Sequence, residues 1–165
     1  MRREMDYVED DGLDLSETVV KINRSAKVVK GGRRFGFSAL VVMGNGNGIV
    51  GLGYGKAREV PPAVEKAQSD ARKKLTRVQL KGTTIPHALT ARFRSSYIKM
   101  IPAAPGTGIV AGAAARAVLE AAGVTDVLTK ALGSKNPINL AKATYEGLLS
   151  LRTRREVAAR RGVEL

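Results

Sequence analysis

Two glycine-rich segments have the residue types and the spacing to bind a phosphate group. The first, GNGNGIVG, places Gly46, Gly48 and Gly51 in the G-x-G-x-x-G pattern, which holds a pyrophosphate when a strand precedes it and a helix follows. The second, PAAPGTGIVAG at residues 102–112, lies between a predicted strand and a predicted helix, whose N-terminus could attract an anion. Each segment raises the hypothesis of a nucleotide-binding enzyme.

The elements around the first segment do not suit a nucleotide site. An alternating apolar run precedes it, but Gly51, Gly53 and Gly55 then alternate with larger side chains, and a period of two predicts a strand. The pattern therefore predicts a β-hairpin whose turn uses the conformational freedom of glycine. A Walker A loop is also excluded, because Lys56 is followed by Ala57 instead of Ser or Thr. We expect a bulky partner, RNA, to lie against the glycine-lined face.

The second segment also lacks the partners that phosphate chemistry needs. Thr107 is its one hydroxyl, and no nearby acid is obviously free to hold magnesium. Asp126, at about the spacing of a ribose-binding acid, falls inside a predicted strand at residues 124–129. The default interpretation is a tight turn that packs a helix against a sheet.

The remaining candidates for catalysis or metal binding are few. His87 is the one histidine and cysteine is absent, so a histidine or thiolate metal site is excluded, and a catalytic triad has no second histidine candidate. The acids of the chain body are scattered, which argues against a carboxylate pair. The sequence predicts no enzyme, no cofactor, no metal and no small-molecule substrate.

The charge distribution indicates a nucleic-acid partner. The net charge is +13, but residues 1–17 hold seven of the 15 acids and two of the 28 bases, so residues 18–165 carry 26 bases, 8 acids and a net +18. We expect residues 1–17 to be an acidic disordered arm that phosphate repels. Aromatic residues make up 4% of the chain and Trp is absent, so contact through phosphate and ribose is favoured over base stacking.

Basic residues concentrate around the first predicted strand and the turn after it. Their alternation on a strand, followed by the bare backbone of Gly31 and Gly32, predicts a loop that clamps RNA from either side. Two further bases extend the same surface at the start of a basic helix. The predicted contact residues are Lys21, Arg24, Lys27, Lys30, Gly31, Gly32, Arg33, Arg34, Gly53, Gly55, Lys56 and Arg58.

The periodicity divides the chain into two α+β units. In residues 18–80 the pattern predicts three strands and one helix, the helix at residues 61–75. Residues 81–84 are predicted to be a linker. In residues 85–152 the pattern predicts strands at 85–93, 97–101 and 124–129 and helices at 111–122 and 137–152. Residues 153–165 are predicted to form a basic tail. The apolar runs are too short for a membrane span, so no membrane partner is expected.

Four motifs together resemble the bacterial small-subunit ribosomal protein S-five family. They are INRSAKVVKGGRRFGFSALVVMGNGNGIVGLGYGKAREVP, GTTIPH, PAAPGTGIVAGAAARAVLEAAGV and LGSKNPIN, in this order. The resemblance implies an α+β fold in which the first domain is similar to the double-stranded-RNA-binding domain and the second to a domain of galactokinase-type kinases. That shared architecture accounts for the kinase-like loop at residues 102–112.

The resemblance also implies a structural role in the cytoplasmic small ribosomal subunit. It implies binding to 16S rRNA, and Lys135 and Asn136 are added to the predicted contact residues. It also implies contacts with ribosomal proteins S-four and S-eight. The protein is expected to support assembly, decoding accuracy and the channel where mRNA enters. Gly108 and Arg116 correspond to positions that face S-four, and Gly106 is predicted in the same protein interface. The loop beside the family's spectinomycin pocket corresponds to Ser25, Ala26, Lys27, Val28, Val29, Lys30, Gly31 and Gly32.

The sequence leaves two other classes of protein open. One is a free-standing double-stranded-RNA-binding regulator, which would use the first unit and leave the second without a role. The other is a small-molecule kinase built on the second unit, which would need acids and a length that this chain lacks.

Overall fold

The computed structural model describes residues 7–8 and 12–163, so most of the predicted acidic arm lies outside the described residues. The elements are β1 Ser16–Val29, β2 Gly32–Gly44, β3 Ile49–Ala57, α1 Val60–Arg72, β4 Thr76–Arg77, β5 Leu89–Phe93, β6 Ser96–Pro102, β7 Ile109–Val110, α2 Ala113–Ala122, β8 Val127–Gly133, α3 Pro137–Leu149 and α4 Arg154–Arg161. None of the helices in the described ranges is long and apolar enough to cross a membrane.

The first unit is an antiparallel sheet in the order β1-β2-β3-β4 with α1 on one face. β1 pairs with β2 from Ser16 opposite Gly44 to Val29 opposite Gly32, whereas β3 pairs with β2 only from Phe37 onward. Residues 25–36 therefore extend beyond β3 as a two-stranded hairpin, and we call this hairpin, together with Arg24 at its base, the basic ribbon.

The second half of β2 is buried on both faces, which explains its nearly continuous apolar sequence. Ala39, Val41 and Met43 pack with α1, while Leu40 and Val42 belong to a larger core that includes the second unit. Helix α1 begins with prolines in its first turn, as predicted, and buries three alanines spaced by four residues against the sheet.

The second unit is a sheet in the order β5-β6-β8-β7, with α2 and α3 over one face. β5, β6 and β8 are antiparallel, and β7 runs parallel to β8, to which α2 provides the crossover. Ile98, Met100 and Val127 point from the sheet into the core below these helices.

Tyr145 of α3 fixes the two units to each other. Its hydroxyl donates to the carbonyl oxygen of Lys74 at 2.8 Å and lies 3.0 Å from the hydroxyl of Thr76. Burial raises the pKa of this phenol above its ordinary value, so the protonated form is favoured in the folded state.

Tyr145→Phe is expected to lower the free energy of unfolding by about 1–2 kcal/mol, because the buried hydroxyl of Thr76 and the carbonyl oxygen of Lys74 lose a hydrogen-bond partner. Because the pKa of Tyr145 is raised, its contribution to the free energy of unfolding depends on pH. This contribution is complete below the unfolded-state pKa of about 10 and is lost as pH rises through the folded-state pKa. Urea unfolding at pH 8 and at pH 10.5 should therefore show a larger loss of stability for the wild type than for the variant. Equal losses would contradict this role.

Several predicted boundaries are displaced, and the hydrogen bonds give the reasons. Gly123 ends α2 in a left-handed conformation, φ 87°, and the amide of Val124 donates back to Leu119. The amides of Thr125 and Asp126 then donate to the carbonyl of Thr83, so β8 begins at residue 127 instead of 124. These last two bonds also attach the predicted linker, residues 81–84, to the second unit.

Other differences concern short elements and ends. The strands β4 and β7, each of two residues, were not predicted. The helix predicted at residues 61–75 ends at 72, the one predicted at 111–122 begins at 113, and the one predicted at 137–152 ends at 149. The basic tail contains α4, which the Thr153 hydroxyl caps by accepting from the amide of Glu156.

Candidate nucleic-acid interface

The basic ribbon ends in a turn whose backbone is open. A Cβ added at Gly31 or Gly32 would have no atom within 4 Å, and Gly32 has a φ of 134° that favours glycine. All six bases predicted in this region are exposed: Lys21, Arg24, Lys27, Lys30, Arg33 and Arg34. The turn can therefore approach a sugar-phosphate backbone closely, with cations beside it.

The cross-strand register distributes these cations over both faces of the ribbon. Lys27 lies opposite Arg34 and Val28 lies opposite Arg33. Because neighbouring residues of a strand point to opposite faces, Lys27 and Arg34 share one face and Arg33 lies on the other. Lys27 and Arg33 thus flank the ribbon from two sides, which suits contact with two RNA segments at once.

Arg24 and Phe35 form a contact that the sequence analysis did not identify. The guanidinium of Arg24 lies 3.8 Å from the centre of the Phe35 ring, which is 46% exposed. This cation–π contact restrains the guanidinium beside the ring, and guanidinium N–H groups are suitable donors to phosphate oxygens. The register of Ala26 with Phe35 was the missing information, because it brings Arg24 diagonally beside the ring.

Lys21, Lys56 and Lys135 extend the basic surface at the base of the ribbon. Lys21 and Lys135 line one groove of about 440 Å³ between β1 and the N-terminal ends of α2 and α3. Lys56 lies across β2 on the same sheet, with its ammonium 5.6 Å from the Tyr54 ring centre, and Arg58 is exposed just before α1. The basic surface therefore includes residues of both units.

Asn136 has a structural task besides any RNA contact. Its side-chain oxygen accepts a hydrogen bond from the amide of Ile138 at 3.0 Å and caps α3. The residue is exposed, but its Oδ1 is already engaged.

The prediction that Gly53 and Gly55 contact RNA is wrong, because α1 covers the glycine-lined face. A Cβ added at Gly53 would overlap the carbonyl oxygen of Ala67 and lie 2.8 Å from the Cβ of Ala71. One at Gly55 would overlap the carbonyl oxygen of Ala63. The bulky neighbour that the alternating glycines require is the backbone of the protein's own helix.

The turn of the GNGNG hairpin caps a helix instead of cradling a phosphate. The amides of Gly46 and Gly48 donate to the carbonyls of Ala121 and Ala122 at 3.1 and 2.9 Å. These are carbonyls of the last turn of α2, which otherwise lack partners within the helix. The donors that would bind a pyrophosphate are thus consumed by the contact between the two units.

The loop of the second glycine segment is held by Asp126, which is 4% exposed. Its carboxylate accepts from the amide of Gly108 at 3.0 Å and from the hydroxyl of Thr125 at 3.1 Å. Hydrogen bonds, first from the Gly108 amide and then from the side chains of Thr83 and Thr125, hold the pKa of Asp126 below its ordinary value. Asp126 lies just before β8, where it organises the loop instead of binding a ribose.

Gly106, Gly108 and Arg116 lie around this loop and the start of α2. Both glycines have left-handed φ angles, 89° and 78°, and a Cβ at either would meet no atom within 4 Å. Arg116 is exposed and lies 3.8 Å from the Glu120 carboxylate one turn later, a weak surface ion pair. The three residues therefore present an accessible surface at one end of the second unit.

The described acids lie mainly away from the ribbon. Asp70 accepts from the ammonium of Lys74 at 2.6 Å and from the Tyr54 amide at 3.0 Å. Although burial raises the pKa of Asp70, these bonds outweigh it and the pKa is lowered. Within residues 7–8 and 12–163, no group of three His, Cys, Asp or Glu side chains could hold a metal ion. The one histidine, His87, accepts a hydrogen bond at its Nε2 from the Arg152 amide at 3.3 Å.

The described part of the predicted acidic arm contacts the first unit. Tyr7 forms a bridge with Thr76, the Val8 amide donates to the Leu75 carbonyl at 3.0 Å, and β1 already begins at Ser16. Glu17, predicted in the arm, is part of β1, accepts from Gln68 and lies 3.8 Å from Arg72. These contacts are at α1 and β4, away from the ribbon tip.

The comparisons with known proteins agree over nearly the whole chain. The family described as "Ribosomal protein S5, N-terminal domain" matches residues 15–79, and "Ribosomal protein S5, C-terminal domain" matches residues 91–161. A protein of Alkalilimnicola ehrlichii named "Small ribosomal subunit protein uS5" is 57% identical over 93% of this chain and 92% of its own length. Proteins of the same name from Psychromonas ingrahamii and Rhodopirellula baltica are 52% and 53% identical, over 98% and 94% of this chain and 96% and 89% of theirs.

These matches span both units in one order, and they settle the class of the protein. The kinase alternative is wrong, because the family is structural and the loop at residues 102–112 is tied to Asp126. The regulator alternative left the second unit without a role, whereas the family match includes that unit. The chain belongs to the ribosomal protein S5 family and is a structural constituent of the small ribosomal subunit, not an enzyme.

Proposed function

We propose that the basic ribbon is the main surface through which this protein binds 16S rRNA. The observation that carries the proposal is the arrangement of cations on both faces of an exposed hairpin that ends in open glycine backbone. A hairpin of two strands is marginally stable in water by itself. A partner on each side would give the ribbon the contacts that it lacks in the free protein.

The chemistry of the ribbon favours recognition of the RNA backbone over recognition of bases. Arginine offers a planar fork of donors to phosphate oxygens, while lysine offers a movable point charge. The exposed aromatic ring of the ribbon, Phe35, already carries the Arg24 guanidinium on its face. Contacts of this kind position a protein on RNA by shape and charge.

Lys21, Lys56, Arg58 and Lys135 continue this RNA-binding surface toward the second unit. They are exposed, and the groove shared by Lys21 and Lys135 places cations of both units near each other. One RNA segment along this line would touch both units and hold their relative orientation. This supports a role in assembly of the subunit.

The end of the second unit with Gly106, Gly108 and Arg116 is proposed as a protein interface, facing S-four as the resemblance implies. The loop is exposed, and a side chain at either glycine would project outward, where it could separate two proteins. Through this contact the protein would affect decoding accuracy. The contacts with S-eight and with the channel where mRNA enters, and the position of residues 25–32 beside a spectinomycin pocket, stay predictions from the resemblance.

Tethered hydroxyl-radical cleavage tests the ribbon proposal in assembled subunits. The chain has no cysteine, so Val28→Cys provides a single thiol for an iron chelate, at a side chain that is 75% exposed. The labelled protein, incorporated into small subunits, should cleave 16S rRNA strongly. Because the ribbon is proposed to lie between RNA segments, cleavage is expected in two separate stretches of the rRNA sequence.

Ser69→Cys, on the exposed side of α1, is the matched control. Its cleavage should be weaker and at other nucleotides. Cleavage from residue 28 that does not exceed the cleavage from residue 69 would refute the proposed interface.

A further inference from the structure

The groove between β1 and the N-terminal ends of α2 and α3 has apolar walls. Ile98 of β6, Ala131 of β8 and Leu140 of α3 line it, and Ile98 is fully buried at its floor. Its volume of about 440 Å³ lies in the range of sites that hold small organic ligands. The groove therefore has room for one nucleobase with its ribose.

The mouth of this groove carries a positive charge that the protein does not neutralise. Lys21 and Lys135 are exposed and come from different units. In the part of the chain that the structure describes, no acid forms an ion pair with either lysine, and the described lining residues include no Asp or Glu. Apolar walls with cations at the mouth suit an anion that carries a large apolar body.

The start of α2 adds backbone donors to the same groove. Its N-cap is Gly112, which has no side chain to accept from the first-turn amides, and the first turn contains no acid. In α3, by contrast, the Asn136 side chain accepts from an amide of the first turn. The positive end of the α2 dipole therefore acts in the same direction as the two lysines.

We infer that the groove binds one unstacked nucleotide of 16S rRNA, with its base against the apolar walls and its phosphate between Lys21 and Lys135. The inference rests on the proposal that these lysines belong to the RNA-binding surface, and it adds a contact with a base, which the ribbon does not provide. Bases that leave a helical stack are held between aromatic or apolar side chains. The described lining residues include no aromatic ring, so the base would pack on aliphatic groups.

A carboxylate of a neighbouring protein suits the groove less well than a nucleotide does. An aspartate or glutamate side chain would pair with the lysines, but it is too small to fill a volume of about 440 Å³. A nucleotide combines the phosphate and the apolar body in one unit. The net charge of +18 on residues 18–165 also favours a polyanion near this surface.

Ala113→Leu tests the base contact without removing a charge. Ala113 is the first residue of α2, is exposed and lines the groove, so a leucine there would occupy the space proposed for the base. Affinity for 16S rRNA should fall about fivefold or more, by comparison with the loss of a base-stacking contact. The slope of affinity against salt should stay that of the wild type, because no phosphate contact is lost.

Lys135→Ala and Ala159→Leu are the comparison variants. Lys135→Ala removes a proposed phosphate contact, so it should weaken binding and make the salt slope shallower. Ala159→Leu adds the same side chain at an exposed position of α4 that does not line the groove, and it should bind as the wild type does. All three free proteins should keep the wild-type melting temperature, since the three positions are exposed.

These variants separate the base contact from the RNA-binding surface itself. Wild-type affinity of Ala113→Leu beside weakened binding of Lys135→Ala would refute the base contact and leave the phosphate contact standing. A shallower salt slope for Ala113→Leu would also refute it, because the leucine would then be displacing phosphates. Wild-type affinity of both variants would contradict the RNA-binding role of the groove as well.

Chemical probing of assembled subunits identifies the occupant. Dimethyl sulfate and a carbodiimide together modify the pairing edges of all four bases. At least one base of 16S rRNA should be protected in subunits with the wild type or Ala159→Leu and reactive in subunits with Ala113→Leu. Identical modification patterns in all three would overturn the inference, and they are the result expected if a protein segment fills the groove.

Discussion

Gly53→Ala should destabilise the protein by about 3 kcal/mol or more, at the upper end of the cost of overpacking. The added methyl group would overlap the Ala67 carbonyl and lie 2.8 Å from the Ala71 Cβ, and both belong to a helix that is packed along its length. A helix backbone cannot yield as a flexible side chain can, so α1 would have to move away from the sheet. Urea unfolding followed by circular dichroism measures the effect.

Gly31→Ala is the matched control for this substitution. It adds the same methyl group at the ribbon turn, where no atom lies within 4 Å and φ is outside the left-handed region. Its stability should equal that of the wild type or exceed it slightly, because alanine restricts the unfolded chain. Equal stability of the two variants would mean that α1 does not cover the glycine-lined face.

Affinity for 16S rRNA should fall about a thousandfold between 50 and 200 mM salt. With the ribbon and the lysines at its base as the proposed surface, we expect about six phosphate contacts, each of which releases a condensed counterion when it forms. The magnitude follows by analogy with duplex DNA. Filter binding across a salt series measures the slope, and a flat response would mean that the basic body is not the binding surface.

The sequence predicted the two α+β units because their helices and strands have clear periodicity and strong end signals. Asn136 followed by Pro137 marked the start of α3, and Gly123 marked the end of α2. The two-residue strands β4 and β7 were missed, because they exist only through pairing with distant strands. No local pattern records that pairing.

The alternating glycines show where local inference fails. The spacing of Gly51, Gly53 and Gly55 correctly predicted that something lies flat on the strand. A period of two cannot say whether that neighbour is RNA or a helix of the same chain. The complementary signal was present in Ala63, Ala67 and Ala71, whose small side chains at helical spacing allow the close approach of α1.

The basic ribbon was predicted as a cluster of charges, and its residues stay predictions as RNA contacts. The alternation of Lys21 and Lys27 indicated an exposed strand, but the sequence did not give the register that splits the cations over two faces. Nor did it show that Lys135, 114 positions after Lys21, lines the same groove. Such long-range neighbours depend on how the two units pack.

The most direct test of the RNA-binding role compares two double variants that lose the same charge. Lys30→Ala with Arg33→Ala removes cations at the ribbon tip, and Lys66→Ala with Lys73→Ala removes exposed cations of α1 and its C-cap. At about 1–3 kcal/mol for each lost charged hydrogen bond, the ribbon variant should bind 16S rRNA at least about thirtyfold more weakly, with a shallower salt slope. The α1 variant should lose a few-fold, and both should keep the wild-type melting temperature. Equal losses of affinity in the two variants would contradict the assignment of RNA binding to the ribbon.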